Sequence, residues 1–426
     1  MNNFNGLYIK SIREELELSL TEVAKAIGIS PTTLSRIENC SLTCSKDIFD
    51  AAVEFFAEQD PMLTFNTTDS LEELKARANR DLKKWLTKFL LYSFVDDIDE
   101  LKETLDNSYT RIRYSYIYFE SRLLESFCTS LKTRSYLNAL NLGVDLHLMD
   151  SFLSREYMFL LYDLMGLAHI YDVRCPKLAL EYFKKAETVV QNADSSYLAS
   201  IANYHTILAL MAEMDHISAL SLFDPCFTAL QKAGAYDRIG LLEIYRGVCL
   251  QNLGLLREAE DIFKNIEVKV PQVDPLFIQK NTNENLMWLY LKQSRYNESR
   301  KCVELARSYG SVFPDLSLAT AWSSYNLDST LECRHVIQKE IDLLAATQRS
   351  EFVKSVLLLM SFAIEGRFSA LQKQYRKVEE SLPRFQNVEA DCIVYSIMAD
   401  YYTQNEDYQS AFAFEKKKVE YLLNRS

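Results

Sequence analysis

The sequence is poor in the two residues that interrupt helices, with ten glycines and eight prolines in 426 residues. Leu, Glu, Ala, Lys and Arg abound instead, which suits long helices joined by short turns, so the expected class is all-α. No run of about 18 apolar residues occurs. The longest, Val356 to Ile364, is broken by Ser361, which excludes a membrane-spanning helix. The opening MNNFNGLYIK lacks the basic start and apolar core of a secretory signal, so a cytoplasmic location is expected. Five histidines are scattered without HExxH, and GxSxG, GxxxxGK[ST] and GxGxxG are all missing. An enzyme is therefore not expected, and no catalytic residue or cofactor is assigned. Nine cysteines form neither CxxC pairs nor zinc-type spacing with histidine. They read as reduced packing residues, Cys40 and Cys44 included, with no metal site.

What is present begins with an apolar content of 48%, ample for a sizeable core. Residues 5 to 18 place Tyr8, Ile9, Ile12 and Leu16 on one helical face. Ser19 with Glu22 three residues later has capping-box spacing and opens a second helix that turns Val23, Ala24 and Ile27 inward. Gly28 permits a left-handed turn after it. Ser30 is a natural N-cap and Pro31 suits the first helical position, so a third helix starts there, burying Leu34 and Ile37 and exposing Pro31, Thr32, Thr33, Ser35 and Arg36. A fourth helix is expected from Ser45, with Ile48, Ala52 and Phe55 inside and Pro61 at its end.

The segment SLTEVAKAIGISPTTLSRIEN resembles the helix-turn-helix of the phage-repressor or Xre family, over roughly residues 5 to 57. That resemblance implies that the helix from Ser30 to Glu38 enters the major groove of a double-stranded DNA operator. Ser30, Pro31, Thr32, Thr33, Ser35 and Arg36 would form the DNA face, with Arg36 the leading base reader and Ser19 near phosphate. It also implies an internal ion pair between Arg13 and Glu38. Cys40 stands where the family usually has glycine, so Asn39 is expected to take the left-handed turn. Electrostatics is the other departure. Residues 1 to 60 hold five basic residues (Lys10, Arg13, Lys25, Arg36, Lys46) against ten acidic ones, a net of -5, whereas DNA binders are usually basic. Lys75, Arg77, Arg80, Lys83, Lys84 and Lys88 follow, a run that reads either as one solvated helix face or as added phosphate contacts.

From about Phe94 the sequence repeats itself. Ala139, Ala179, Ala219, Ala259 and Ser299 fall 40 residues apart, and Ala370 and Ala411 are 41 apart. Helical hairpins cannot bury both faces alone, and a small residue is needed where two helices cross closely, so the expected body is a right-handed α-solenoid of eight or nine hairpins. Gly247, Leu250 and Ala259, then Met287, Tyr290, Tyr296, Ser299 and Ala306, then Ala399, Tyr402, Tyr408 and Ala411 resemble the tetratricopeptide signature. Asp315 to Ala346 fits only loosely. That resemblance places Asn203, Tyr204, Leu208, Gln251, Asn252, Asn281, Glu284 and Trp288 on a concave groove. Asn and Gln there suit a peptide backbone, because one amide both donates and accepts.

The combination resembles the RRNPP family, receptors of secreted signalling peptides in Gram-positive bacteria and their mobile elements. It implies a transcription regulator in which a short imported peptide occupies the groove and shifts two DNA-binding heads of a homodimer, with no membrane partner. The C-terminal hairpins, ending in the charged helix AFAFEKKKVEYLLNRS, read either as part of the dimer surface or as a polar end cap. The expected division is 1-66 for the DNA-binding domain, 67-92 for a linker helix and 93-426 for the repeats. An adaptor whose groove grips a signalling protein such as a response regulator, with DNA binding secondary, is the alternative.

Overall fold

The computed structural model describes residues 2–60, 70–91, 117–133, 135–146, 153–190, 196–382 and 388–423. All regular structure among them is helical, and no helix among them is long and apolar enough to cross a membrane. The chain divides into two compact units, Met1–Arg238 and Ile239–Ser426. Packing therefore puts the head, the linker helix and the first repeats in one unit.

The head consists of α1 (Asn2–Glu15), α2 (Leu20–Ala26), α3 (Pro31–Glu38) and α4 (Lys46–Gln59). Its ends are set by polar side chains. The Glu22 amide donates to Ser19 Oγ at 3.2 Å while the Ser19 amide donates to Glu22 Oε2 at 2.7 Å, a complete capping box. Ser30 caps α3 by accepting from the Thr33 amide at 3.0 Å, and Ser45 caps α4 by accepting from Ile48 at 3.3 Å. Each such cap contributes about 1 kcal/mol. Tyr8, Ile12, Val23, Leu34, Ile37 and Phe56 close the core. In α4 the inward face lies one position later than the pattern suggests: Ala52, Val53 and Phe56 are buried, while Ile48 and Phe55 are half-buried.

The turn after α3 also departs from expectation. Asn39 keeps φ at -90, and Cys40 takes the left-handed conformation with φ 57. The Cys40 amide donates to Ile37 O and the Ser41 amide to Arg36 O, the paired bonds that satisfy a helix end. Those bonds require the left-handed residue one place after the cap, where the Xre pattern has glycine. Cys44 nearby is buried, and burial pushes its thiol up to about 11, so it packs rather than reacts.

The first unit continues with α5 (Ser70–Leu91), α6 (Ile117–Thr133), α7 (Leu137–Leu146), α8 (Arg155–Tyr171), α9 (Pro176–Val190), α10 (Ser196–Ala212) and α11 (His216–Ala233). The α12 helix (Tyr236–Asn252) spans the division. The second unit adds α13 (Leu256–Lys269), α14 (Pro275–Lys292), α15 (Tyr296–Ser308), α16 (Asp315–Leu327), α17 (Thr330–Leu343), α18 (Gln348–Ile364), α19 (Phe368–Glu379), α20 (Val388–Gln404) and α21 (Tyr408–Leu423). From α6 onward successive helices pair as hairpins.

The repeat rests on a small residue followed four places later by a phenylalanine. Ala179 and Phe183, Ala219 and Phe223, and Ala259 and Phe263 are all buried on second helices. Glycines on the first helices receive two of these rings. A Cβ on Gly166 would lie 2.3 Å from Phe183, and one on Gly247 would lie 2.4 Å from Phe263. Ser299 keeps the same inward place. The Ala139 side chain lies outside the described residues. Ala370 breaks the pattern by being half-buried, with Leu371 inward instead, because a one-residue change of register turns a helix face by about 100°.

The loosely matching stretch is a regular hairpin, α16 and α17. Ser329 and Glu332 form a second capping box at its turn. Buried charges fasten it to its neighbours: Arg349 Nε meets Asp315 Oδ1 at 2.8 Å, and Arg307 meets Glu340 at 2.5 and 3.1 Å.

Candidate DNA-reading head and ligand cavity

The residues expected on α3 for DNA contact are exposed or half-exposed. Pro31, Thr32 and Arg36 are exposed on α3, Thr33 and Ser35 are half-exposed, and no described residue pairs with the Arg36 side chain. Ser30 and Ser19 are exposed too, yet each hydroxyl is committed to a cap. Ser30 Oγ sits 2.8 Å from Thr33 Oγ1, and Ser19 Oγ donates to Glu22 Oε2 at 2.6 Å.

Behind α3 the support is rigid. Arg13 donates through Nε to Glu38 Oε1 at 2.7 Å and through a terminal nitrogen to Oε2 at 2.8 Å, with both side chains largely buried. Hydrogen bonding to Glu38 raises the Arg13 pKa against the cost of burial. This fork joins α1 to the last turn of α3. Gly6 completes the contact, since a Cβ there would come within 2.1 Å of Ile37 O. Such an arrangement exposes on a short helix a guanidinium unpaired among the described residues and two threonines, a set that suits donor contacts to base edges.

The groove residues divide between the two units. In the first, Tyr204 is buried beneath the Arg238 guanidinium at 5.2 Å, and Asn203 and Leu208 are half-buried beside it on α10. In the second, Gln251, Asn252 and Trp288 line one cavity of about 610 Å³. Asn281 and Glu284 do not line it. The Asn281 amide donates to Phe277 O at 2.8 Å, one turn back on its own helix, and Glu284 accepts from Ser311. Asn283 and Asn285 bond their helix in the same way. Amides spent on their own backbone are poor clamps for a peptide.

The cavity is built from the ends of α12 and α14, from α16, and from α20 and α21. Trp288 and Trp322 supply apolar wall, with Trp322 stacked on Tyr325 at 5.1 Å. Glu389 on α20 reaches across, its Oε1 lying 2.9 Å from Lys292 Nζ and 3.4 Å from Gln251 Nε2. Lys292 also donates to Asn252 Oδ1 at 3.3 Å. Gln251 is buried, and its Oε1, itself closed off from solvent, has no hydrogen-bond partner among the described residues. On the far side Lys418 donates to Ser396 Oγ at 2.8 Å, and burial together with Glu415 raises the Asp400 carboxyl above its ordinary range. Apolar walls with a few convergent polar groups are the marks of a ligand site. Among the described residues no group of three His, Cys, Asp or Glu is placed to hold a metal ion.

Sequence reasoning missed Lys292, Trp322, Glu389 and Lys418. One signal was available, because one 40-residue repeat beyond Asn252 is Lys292. Glu389 carried none, since it meets Gln251 only through a contact spanning 138 residues.

A family model described as Helix-turn-helix matches residues 9–39. No curated protein matches the chain. Among solved structures the chain is similar to the apo form of the quorum sensor NprR from B. thuringiensis, with a TM-score of 0.63 at 16% identity over 83% of this chain and 100% of that one. NprR in complex with its cognate peptide NprX gives 0.56 at 17% identity over 81% and 99%. A Rap protein complexed with Competence and Sporulation Factor gives 0.57 at 14% over 84% and 100%. At these identities the likeness is one of fold. The chain thus joins a helix-turn-helix domain to a helical-repeat body with the fold of NprR and the Rap proteins, the build of the RRNPP-type regulators that its sequence resembles.

Proposed function

We propose that this protein is a DNA-binding transcription regulator whose repeat body takes a short signalling peptide, and that the peptide changes the DNA binding of a homodimer. The cavity carries the reading. At about 610 Å³ it accommodates a few residues of peptide. Trp288 and Trp322 offer wall for apolar side chains, and Asn252, Lys292 and Glu389 offer polar groups for a peptide backbone. NprR, whose fold this body shares, is solved with a cognate peptide.

The mechanism needs differential binding. Glu389 joins α20 to α12 and α14 through Lys292 and Gln251. A peptide that takes over those polar groups favours a different spacing of the same helices, and a preference of about 1.4 kcal/mol shifts the balance tenfold. Operator binding then follows through Thr32, Thr33 and Arg36.

The test has two arms. Genome-wide mapping of bound DNA is expected to give discrete sites that Arg36→Ala and Thr32→Ala abolish; profiles indifferent to both substitutions would sink the DNA reading. A random hexapeptide library passed over the immobilised full chain is expected to yield enriched sequences that Trp288→Ala and Gln251→Ala no longer retain. Retention indifferent to both would remove the cavity from the proposal.

A further inference from the structure

The linker helix α5 carries a charge pattern that neither proposed site uses. Leu82, Trp85 and Leu86 are buried. On the flanks of that face Lys83 Nζ meets Glu156 Oε1 at 2.9 Å, and the Thr87 hydroxyl lies 3.2 Å from the Tyr197 hydroxyl, which holds α5 to α8 and α10. At about 100° per residue, Arg80 and Lys84 point away from this buried side. Both are exposed, and neither has an acidic partner among the described residues. Lys88, four further on, lies over the Trp85 ring at 5.0 Å and prolongs the row. The three positions span roughly 12 Å along the helix.

The placement of this row bears on the head. The α5 helix packs against α6, and α6 also receives the head, because the Phe4 ring of α1 meets Phe119 edge-on with centroids 5.6 Å apart. Linker helix and head thus rest on a common support. Their charges are opposite. Residues 1 to 60 carry a net of -5, whereas α5 holds six basic residues (Lys75, Arg77, Arg80, Lys83, Lys84, Lys88) against three acidic ones (Glu72, Glu73, Asp81). An acidic head approaching a polyanion needs compensation from outside itself, since phosphate neutralisation supplies most of the sequence-independent affinity.

We propose that Arg80 and Lys84 bind the phosphate backbone of the duplex that the head reads, as a second contact lying outside the base-reading face. The proposal rests on the DNA-binding reading above. It assigns these two residues to affinity and Arg36 to sequence choice.

The experiment is fluorescence anisotropy of the full chain with two 30-bp duplexes, one recovered by the genomic mapping and one of scrambled sequence, at 50 to 200 mM KCl. Arg80→Gln, Lys84→Gln and the double variant are compared with Lys232→Gln, an exposed lysine of α11. Each lost phosphate contact is expected to reduce the slope of log K against log[KCl] by about 0.9, so the double variant loses about 1.8. Affinity at 0.1 M salt falls about eightfold per contact by the same relation, while the preference for the recovered over the scrambled duplex is unchanged. Lys232→Gln leaves the slope as it is. A double variant with the wild-type slope overturns the proposal while leaving the DNA reading intact, as does a preference that falls along with affinity. Wild type that binds neither duplex overturns both. Arg80 and Lys84 are exposed and form no ion pair among the described residues, and a matching thermal melt confirms that the variants fold.

Discussion

The head and the second unit place their polar side chains differently. In the head most of the characteristic bonds are local, Ser19 with Glu22, Ser30 with Thr33 and Ser45 with Ile48, each three residues apart, and the Arg13–Glu38 fork is the long-range exception. The second unit caps helices locally too, as at Ser329 and Glu332, but adds a set of long-range pairs, joining Arg307 to Glu340, Arg349 to Asp315, Lys269 to Glu243 and Lys292 to Glu389. The difference follows from construction. A small domain of short helices has many ends, and each end leaves backbone donors to satisfy nearby. A stack of long helices has fewer ends per residue and must instead hold neighbouring hairpins in register, which side chains do across the sequence. A short window therefore specifies the head, while the cavity exists only when distant hairpins are in place.

This contrast can be broken by substitution, and the largest effect is expected in the repeat packing. Phe263→Ala removes a ring seated against Gly247 and is expected to cost about 3–5 kcal/mol by chemical denaturation. It should also abolish peptide retention by the cavity, while the isolated residues 1–60 need no such support if the head is locally specified. A variant that unfolds at the wild-type denaturant midpoint would show that the glycine–phenylalanine seat is not the unit of packing.

Next comes Arg307→Ala, which leaves Glu340 buried without its guanidinium. Loss of one partner from a buried pair costs about 3–5 kcal/mol, and Arg307 is one-third exposed, which places the expectation near 3. Arg307→Ala combined with Glu340→Leu should recover most of it, which a double-mutant cycle measures directly.

In the head the effects are smaller. Ser30→Ala is expected to cost about 1 kcal/mol through loss of the cap on α3, read from the thermal midpoint of the head. An equal loss in a variant where Thr33 is also removed would show that the hydroxyl pair adds nothing to the cap.

The smallest effect is a pH dependence at the other cap. Glu22 has its pKa lowered from the ordinary 4.5 by hydrogen bonds from the Ser19 side chain and backbone. A carboxylate with a depressed folded pKa contributes stability present above its unfolded value and lost as pH falls through the folded one. The gap in melting temperature between wild type and Glu22→Gln is thus expected at neutral pH and should close below about pH 4.5. A gap that persists at lower pH would remove the charge on Glu22 as its cause.

Much of the head was legible because its signals are local. The caps at Ser19 and Ser30, Pro31 at the start of α3, the left-handed Gly28 and the inward Leu34 and Ile37 are written within a few residues of each other, and the structure has all of them. The left-handed residue after α3 was misplaced by one position, since sequence preference favours Asn39 while the hydrogen-bond geometry of the helix end selects Cys40. The groove was harder to read. The tetratricopeptide resemblance places Gln251, Asn252 and Trp288 on the groove, and the cavity uses all three. It places Asn281 and Glu284 equally well, but nothing local reveals that Asn281 bonds Phe277 O or that Glu284 receives Ser311.

The sequence by itself determined the helical class of the described residues, a helix-turn-helix read over roughly residues 5 to 57 and matched by a family model at 9–39, and a repeat ruled by small residues, because capping, turn chemistry and helical spacing act over one or two turns. Only the tertiary structure decided which polar groups meet. Glu389 reaches Lys292 and Gln251, Arg80 and Lys84 stand clear of every described acid, and the Gln251 amide oxygen is buried without a partner among the described residues. Those outcomes depend on how whole helices pack, and packing brings together residues whose separation along the chain carries no trace of the contact.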